Sequence, residues 1–417
     1  MEFLNTPDRH PNQCNGNSMM TRLRAIKFFH DSTLQLILAT RILLLSATCL
    51  LTACGGSSEA KEGSLSGRDN RDVNDTLFGK PTPLGSELDC QSCDVTLEQT
   101  ATIGTEADTA GFLTGSSTIA SHLEGFVVAP TAQLGELAQF GAAGNLIRII
   151  SRRGGGPGEF HDIRCVFALP GDTLGVLDAG KIVILAPNLD FVREKTLPAG
   201  LTAFRAIGLP NGSILLNNTA RDRPRLAILT RDLNLAMELG PVASSSGDPN
   251  QLQVIMSVSP DGDRILSSRM DRYEVSQWGA KTGNLERRWS SSSGWLKPWR
   301  TDRFSLNPKV ASLSFDEFNR LWVIGLVPKV ELPASVSPNG EELDPGALAR
   351  LGSPYRSVLE VFDADHGTRL VSKDLCAASC RFIGQSLLAE VNRDSGVQIR
   401  IYRIVVRGFP PPVREEQ

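Results

Sequence analysis

The residues of this chain best suited to bind a ligand are arginines, joined by one tryptophan, in the segments between its short apolar runs. The set is Arg152, Arg153, Arg164, Arg221, Arg223, Arg269, Arg272, Trp299 and Arg300. A guanidinium group binds carboxylates and phosphates through paired hydrogen bonds and also stacks on aromatic faces. The set therefore predicts a binding surface for an anionic or glycan ligand. The alternative is that these charges only keep surface loops soluble.

Calcium binding is a second candidate chemistry. Asp178, Asn217, Asn218 and Asn392 end or follow apolar segments. Carboxylate and amide oxygens from several such segments can coordinate Ca²⁺. The same residue types also form turns, and that is the interpretation we favour. The segment 363–367 has the spacing of half a calcium loop but lacks the later bidentate acid, so it predicts a β-turn.

Patterns for catalysis are weak. His122, His161 and His366 are spread over segments that we do not expect to meet at one metal centre. Sequences of the forms GxSxG, HExxH and GxxxxGK[ST] do not occur, which argues against serine hydrolases, zinc proteases and P-loop nucleotide binding. The sequence therefore predicts no catalytic residue, no metal site and no cofactor.

The cysteines form two local pairs. Two residues separate Cys90 from Cys93, and three separate Cys376 from Cys380. The spacing alone is compatible with zinc, whereas an oxidising compartment favours disulfides, so we predict one disulfide within each pair. Cys165 lies in an apolar segment and is predicted to be a buried free thiol.

The chain begins with the organisation of an export signal. An apolar run at 42–51 follows several cationic residues, and the sequence Leu-Thr-Ala precedes Cys54. Small residues in front of a cysteine resemble the lipobox of bacterial lipoproteins. The resemblance implies that residues 1–53 are a signal peptide and that a lipidated Cys54 anchors the protein to a membrane. An ordinary secretory signal with a chance cysteine is the alternative.

Further features concern the destination of such a lipoprotein. Gly55 stands where an aspartate would mark retention at the inner membrane, so the resemblance implies the outer membrane, facing the periplasm or the cell surface. Residues 1–18 do not resemble a signal, and a start at Met19 or Met20 stays open.

Residues 54–94 are rich in Gly, Ser, Asp, Asn and Pro and predict a flexible tether. The formal net charge of −3 gives no reason to expect a nucleic-acid partner.

The elements that must position these side chains are short strands. Beyond residue 95, β-branched segments alternate with turn residues, without helical periodicity. A turn followed by a strand recurs six times, at 123–130, 170–178, 210–218, 260–268, 317–325 and 383–391. A second hairpin follows each of the first five, at 140–148, 185–193, 229–237, 278–287 and 362–370. These repeats predict an all-β fold, a six-bladed β-propeller over residues 95–410, with a β-sandwich or solenoid as the alternative.

The sixth repeat lacks its second hairpin, which leaves one blade short of its outermost strand. The segment 95–104, which precedes the first repeat, is predicted to supply that strand. Such an N-terminal strand closes the ring and removes its open edges. The stretch 328–354 is rich in Pro and Gly and predicts a loop insertion in the fifth blade.

A glycine-rich segment between the first and second repeats adds a family resemblance. The sequence RGGGPGEF at 153–160 resembles the GxGPGEF signature of bacterial six-bladed propeller lipoproteins related to NHL-repeat proteins, over roughly residues 95–408. We expect its residues to form a tight connection between blades: Gly154, Gly156, Pro157, Gly158, Glu159 and Phe160. Amidating lyases with this fold carry Pro-His after the motif, where this chain has Ile163 and Arg164.

These observations favour a non-catalytic binding or scaffold protein at the outer membrane. We expect a monomer whose partners are the membrane, through its lipid anchor, and an unidentified anionic or glycan ligand or a protein. The alternative function is a periplasmic metal-dependent propeller enzyme of the lyase or lactonase type, which would use calcium. The fold by itself does not decide between them.

Overall fold

The computed structural model describes residues 80–104, 113, 117–130, 135–220, 223–242, 254–297, 307–329, 354–375, 379–392 and 397–409. Cys54 and the predicted signal peptide therefore lie outside the described residues, as does most of the 328–354 insertion. The described residues form 25 β-strands and no helix. No segment among them could cross a bilayer as a helix.

Six antiparallel sheets of successive strands, which we call blades 1 to 6, make up the structure. Blade 1 consists of β3 (Ser117–His122), β4 (Gly125–Pro130), β5 (Glu136–Phe140) and β6 (Leu146–Ser151). Blade 2 consists of β7 (Ile163–Leu169), β8 (Thr173–Asp178), β9 (Lys181–Leu185) and β10 (Phe191–Thr196). Blade 3 consists of β11 (Ala203–Gly208), β12 (Ile214–Asn218), β13 (Pro224–Leu229) and β14 (Leu235–Val242).

The remaining blades follow the same pattern. Blade 4 consists of β15 (Val254–Val258), β16 (Arg264–Arg269), β17 (Glu274–Gly279) and β18 (Leu285–Ser290). Blade 5 consists of β19 (Lys309–Phe315), β20 (Arg320–Pro328), β21 (Tyr355–Asp363) and β22 (Arg369–Asp374). Blade 6 consists of β23 (Ser379–Phe382), β24 (Leu387–Asn392), β25 (Gln398–Arg407) and β2 (Asp94–Ile103). The predicted six-bladed β-propeller is confirmed.

The N-terminal strand β2 closes the ring, as the sequence predicts. It pairs antiparallel with β25 along its whole length, from Asp94 opposite Arg407 to Ile103 opposite Ile399. The side chain of Ile103 then packs into a cluster that also contains Phe126 of blade 1. The strands β2 and β25, which lie about 300 residues apart in sequence, are thus held in one sheet, and β2 supplies the fourth strand of blade 6.

The hydrophobic core is divided among the interfaces between neighbouring blades. Six clusters of buried apolar residues occur, and each draws its members from two adjacent blades. Strands buried on both faces read as continuous apolar runs, which explains segments such as ILL in β12 and KIVIL in β9. This packing fixes the innermost strands around a common axis.

The segment before β2 corrects the predicted extent of the tether, which was expected to reach residue 94. The short strand β1 (Thr82–Pro83) pairs parallel with β18 at the outer edge of blade 4. Leu88 forms a bridge with Arg369 at the outer edge of blade 5. Leu84 is buried in the cluster between those blades. Residues 80–93 are therefore a strap along two blades, because their few apolar and backbone groups find partners there.

The propeller has two faces. The connection face carries the links between blades, such as 197–202, and the turns between second and third strands, such as 179–180. The hairpin face carries the turns between first and second strands, at 123–124, 170–172, 209–213, 259–263, 316–319 and 383–386. Gly212, with a φ of 83°, is one of the glycines that these tight turns require. Each innermost strand runs from the connection face to the hairpin face.

Candidate ligand-binding channel

A channel lies between the innermost strands β3, β7, β11, β15, β19 and β23, all of which contribute to its wall. Its volume is about 620 Å³. Small-molecule sites usually enclose roughly 300–1,000 Å³. The channel is therefore large enough for a metabolite-sized ligand.

Two arginines in the channel wall are the principal charged groups of this site. Arg205 and Arg381 are each the third residue of an innermost strand, β11 and β23. Burial lowers the pKa of Arg205. Burial and the nearby charge of Arg205 lower the pKa of Arg381 to about 10. Arginine side chains stay protonated at neutral pH, and the charge of Arg205 makes it more costly for Arg381 to stay charged.

The hydrogen bonds of the two guanidinium groups are incomplete. Arg381 donates one hydrogen bond, from Nη2 to the Ser117 carbonyl oxygen at 2.6 Å, while its buried Nε has no acceptor among the described residues. Neither Arg205 nor Arg381 forms an ion pair within the described part of the chain. A buried cation without an acidic partner is unfavourable in a protein, so an anion entering the channel would gain from both groups.

Arg164 also lines the channel but is already paired. Its Nη2 lies 2.5 Å from a carboxylate oxygen of Asp162, and its guanidinium carbon lies 4.7 Å from the centre of the Phe204 ring. Lys309, the first residue of β19, lies near enough to Arg205 that this charge, added to burial, lowers the lysine pKa. The cationic groups thus come from blades 2, 3, 5 and 6 and lie within the first three residues of their strands.

No aspartate or glutamate occurs among the described residues that line the channel. Among the described residues, the charged ones in its lining are Arg164, Arg205 and Arg381. Field lines concentrate in a cleft whose charges share one sign and whose walls have a low dielectric constant. The connection-face half of the channel is therefore positive, although the whole chain carries a formal charge of −3.

Polar residues at the ends of second strands position the arginine-bearing strands. The Oδ1 of Asn217 accepts hydrogen bonds from the backbone amides of Phe204 at 3.0 Å and Arg205 at 2.7 Å. In blade 2 the carboxylate of Asp178 accepts corresponding hydrogen bonds from the backbone amides of residues 161 and 162. Both side chains are buried and satisfy backbone donors where a ladder is interrupted.

The calcium hypothesis gains no geometric support from these residues. The oxygens of Asp178 and Asn217 are occupied by backbone amides, and Asn218 Oδ1 accepts from the amides of Thr202 and Ala220. The side chain of Asn392 lies outside the described part of the structure. Across the described residues, no three His, Cys, Asp or Glu side chains are grouped as metal ligands would be. Turn and strand-end roles account for the described members of this set.

The histidines occupy separate places. His122 is buried, and its Nε2 lies 2.9 Å from the Pro187 carbonyl oxygen. His366 is exposed, with Nδ1 2.8 Å from Asp363 in the turn at 363–367. The Asp363 carboxylate also accepts the amides of residues 365 and 366, which is the geometry of a hydrogen-bonded turn.

Several members of the predicted arginine set lie around the connection face and already have acceptors. Arg152 donates to the Leu189 carbonyl oxygen at 3.0 Å, Arg223 contacts Glu238 at 3.2 Å, and Arg269 makes two hydrogen bonds to Asp271. Local pairing of this kind neutralises much of the charge. Arg153 is exposed, and Arg272 has a partner within the fold. Arg221, Trp299 and Arg300 lie outside the described residues. Of the members of this set that the structure describes, only Arg164 lines the channel.

The glycine-rich segment forms the link between blades 1 and 2. Phe160 is fully buried in the cluster between those blades. A carboxylate oxygen of Glu159 accepts the amide of Gly156 at 2.8 Å, and Glu194 accepts the amide of Gly158 at 3.1 Å. Gly158 has a φ of 73°, and a Cβ atom there would lie 2.8 Å from the Phe191 ring. Pro157 is exposed within this turn. These contacts hold the link in place and do not reach the channel lining.

One of the two predicted disulfides is present. Cys90 and Cys93 are bonded, with Cα atoms 5.4 Å apart, directly before β2. Cys380 carries a free thiol, so the predicted bond to Cys376, which lies outside the described residues, is absent from the structure. The Cys380 side chain is buried in the cluster between blades 5 and 6, and burial raises its pKa to about 12. Cys165 is free as predicted but only partly buried, because it faces the channel.

Arg205 and Arg381 were not among the residues predicted from the sequence. The prediction rested on the turns of the repeats, whereas each of the two arginines is the third residue of its innermost strand, in AFRAIG and SCRF. An arginine inside a short apolar strand was the available signal. Aligning the first three residues of all six innermost strands would have placed both beside one axis.

No family model matches this sequence, and no curated protein matches it. Solved structures share the fold. A member of the DUF4221 family from Bacteroides vulgatus has a TM-score of 0.52 and 10% identity, covering 75% of this chain and 99% of that one. A Bacteroides fragilis protein has a TM-score of 0.51 and 10% identity, covering 78% and 99%. At these identities the likeness shows the fold alone.

Proposed function

We propose that this protein is a lipid-anchored binding module of the bacterial cell envelope that takes up a small anionic ligand in its channel. The observation that carries the proposal is the pair Arg205 and Arg381, two guanidinium groups in one channel without a carboxylate partner among the described residues. Guanidinium groups are the usual partners of carboxylates and phosphates, which they bind through charge-assisted hydrogen bonds.

The anchoring part of the proposal rests on the sequence. The apolar run, the small residues and Cys54 stand in the order of a lipobox, and Gly55 supports delivery to the outer membrane. Metabolic labelling with a radioactive fatty acid tests it. We expect label in the wild-type protein in the outer-membrane fraction and none in Cys54→Ser. Labelling that persists in Cys54→Ser would contradict the assignment.

Anion binding is tested by calorimetric titration of the full chain with inorganic phosphate, acetate and, as a neutral control, glucose. We expect the anions to bind and glucose to give no heat. The double variant Arg205→Gln/Arg381→Gln should weaken anion binding at least about tenfold, since each charge-assisted hydrogen bond contributes about 1.5–3 kcal/mol. The matched control is Arg193→Gln, which removes an exposed arginine of β10 that bonds to Asp232.

Two outcomes would contradict this proposal. One is binding of glucose but of neither anion, which would favour a glycan ligand. The other is equal anion binding by the wild-type protein and the double variant, which would place the anion elsewhere. The alternative metal-dependent enzyme has no observation in its favour, because the described candidate ligands already serve the backbone.

A further inference from the structure

The channel is asymmetric along its length, and this asymmetry bears on the kind of anion that it takes. Arg164 and Arg205 are the second and third residues of β7 and β11, so they lie toward the connection face. Arg381 is the third of the four residues of β23, but its Nη2 reaches the carbonyl oxygen of Ser117, the first residue of β3, which places its guanidinium group toward the same face. Among the described lining residues nearer the hairpin face, no other side chain is charged. The channel therefore offers a cationic end and an uncharged end to a single ligand.

Apolar side chains predominate in the uncharged end. The hairpin-face lining includes Phe167, Ile207, Val258, Phe382 and Ile383. Four of them are only partly buried, although each packs on one side against a cluster between blades. Their remaining apolar surface faces the channel, where burial against an apolar ligand would be favourable.

The hydroxyl groups at this end are largely occupied. Ser259 is buried and bonds to the Asp261 carboxylate, and Ser121 donates to the Ile383 carbonyl oxygen at 3.2 Å. Ser312 accepts the amide of Phe382 at 3.0 Å. These three groups thus serve the protein itself. Ser257, Ser314 and Gln385 also belong to this end of the lining, so a ligand would meet some polar groups there beside the apolar side chains.

The distance between the two ends sets the size of the ligand. From Arg205 to Gly208, the last residue of β11, the strand advances about 10 Å. That is about the length of an extended eight-carbon chain. A ligand of this size also fits the volume of about 620 Å³.

We propose that the ligand is an amphiphilic organic anion, whose carboxylate or similar group meets Arg205 and Arg381 while its apolar body extends toward the hairpin face. This inference rests on the proposed function, because it names the class of anion that the same channel takes. It predicts that inorganic phosphate and polar di- and tricarboxylates bind more weakly than such a ligand, because they would leave the apolar end of the channel without a partner.

The test is a calorimetric titration of the full chain carrying Cys54→Ser with acetate, butyrate, hexanoate and octanoate. Octan-1-ol and octylammonium serve as neutral and cationic controls. We expect affinity to rise about threefold to fourfold for each added methylene, as for burial of a methylene group. The neutral alcohol should bind at least about tenfold more weakly than octanoate, and octylammonium should not bind.

A pair of matched variants locates the apolar end. Ile207→Thr keeps a β-branched residue in β11 but makes the channel wall polar, and it should lower octanoate affinity about fivefold while leaving acetate unchanged. Ile149→Thr, the same change at an exposed position of β6, should alter neither.

The outcomes separate the two proposals. Equal affinity for acetate and octanoate would overturn the amphiphilic ligand and leave the anion-binding function standing. Octan-1-ol binding as tightly as octanoate would retain an apolar channel and overturn the role of the arginines. Binding of no member of the series, together with no phosphate binding, would overturn both.

Discussion

The side chain of Asn217 holds the backbone of Arg205 in place: its Oδ1 accepts the Arg205 amide at 2.7 Å and the preceding amide at 3.0 Å. The ladder between β11 and β12 is irregular at this point, with a shift of register between Ala203 and Ala206. A buried residue of the second strand thus determines where a cation of the innermost strand stands. Asn217 is a positioning residue, since it does not line the channel.

Replacing Asn217 should affect binding through Arg205. Asn217→Ala leaves two backbone amides without an acceptor, and we expect anion affinity to fall about fivefold with a loss of about 2 kcal/mol in unfolding free energy. Asn217→Asp keeps the acceptor, as Asp178 does in blade 2, but adds a negative charge beside Arg205. It should retain stability and still weaken anion binding. Equal binding by both variants and the wild type, measured by calorimetry, would contradict the positioning role.

Removing the charge of Arg205 should stabilise the unliganded protein. Its side chain is partly buried, lies near Arg381 and makes no hydrogen bond or ion pair within the described chain. Arg205→Met keeps the length of the side chain without the charge. We expect a gain of about 1 kcal/mol in unfolding free energy, measured with urea, together with weakened anion binding. Arg193→Met should neither raise the unfolding free energy nor weaken anion binding. A lower unfolding free energy for Arg205→Met would argue against repulsion between Arg205 and Arg381 in the unliganded protein.

Anion affinity should depend on pH in the alkaline range. The pKa of Arg381 is lowered to about 10, so its charge is present at neutral pH and is lost as pH rises through about 10. Affinity for acetate should therefore be constant between pH 7 and 9 and fall above about pH 10. Arg381→Gln should bind more weakly and lack that part of the decline. A wild-type affinity that stays constant to pH 11 would contradict the lowered pKa of Arg381, and unchanged affinity in Arg381→Gln at neutral pH would exclude Arg381 from the site.

The positive electrostatic potential of the channel should be detectable at Cys165. This free thiol lines the channel that contains Arg205 and Arg381, so anionic thiol reagents should be concentrated around it. We expect an anionic methanethiosulfonate to label Cys165 about tenfold faster than a cationic one of similar size, followed by mass spectrometry. Arg205→Gln should reduce this ratio. Cys380 should stay unlabelled in the folded protein, because it is buried and its pKa is raised to about 12.

Removing the buried aromatic side chain from the link between blades 1 and 2 should destabilise the protein. Phe160 is fully buried between the blades, so Phe160→Ala should lower the unfolding free energy by about 3–5 kcal/mol. Phe191, on the neighbouring β10, is 39% exposed, and Phe191→Ala should cost only about 1 kcal/mol. Equal losses in urea unfolding would show that the blade interface does not depend on Phe160.

Much of the fold could be predicted because its signals are local. Turn residues before each second strand, such as Gly212, and the apolar runs that follow them recur along the chain. The missing outer hairpin of the sixth repeat indicated that residues near 95–104 would pair with β25. The strap at 80–93 was missed, since two-residue pairing and a single buried Leu84 leave no periodic pattern.

Sequence alone was enough to predict the number of blades, the closure by an N-terminal strand and the Cys90–Cys93 pair, because the repeats, the missing outer hairpin of the sixth repeat and the cysteine spacing are all visible along the chain. Which arginines come together depends on the three-dimensional fold. Arg223 and Arg269 find acceptors in their own blades, and Arg152 finds one in blade 2. Arg205 and Arg381, by contrast, come from distant segments and both line the channel. Whether a cation is neutralised or left to bind a ligand depends on its neighbours in space, and closure of the ring sets those neighbours.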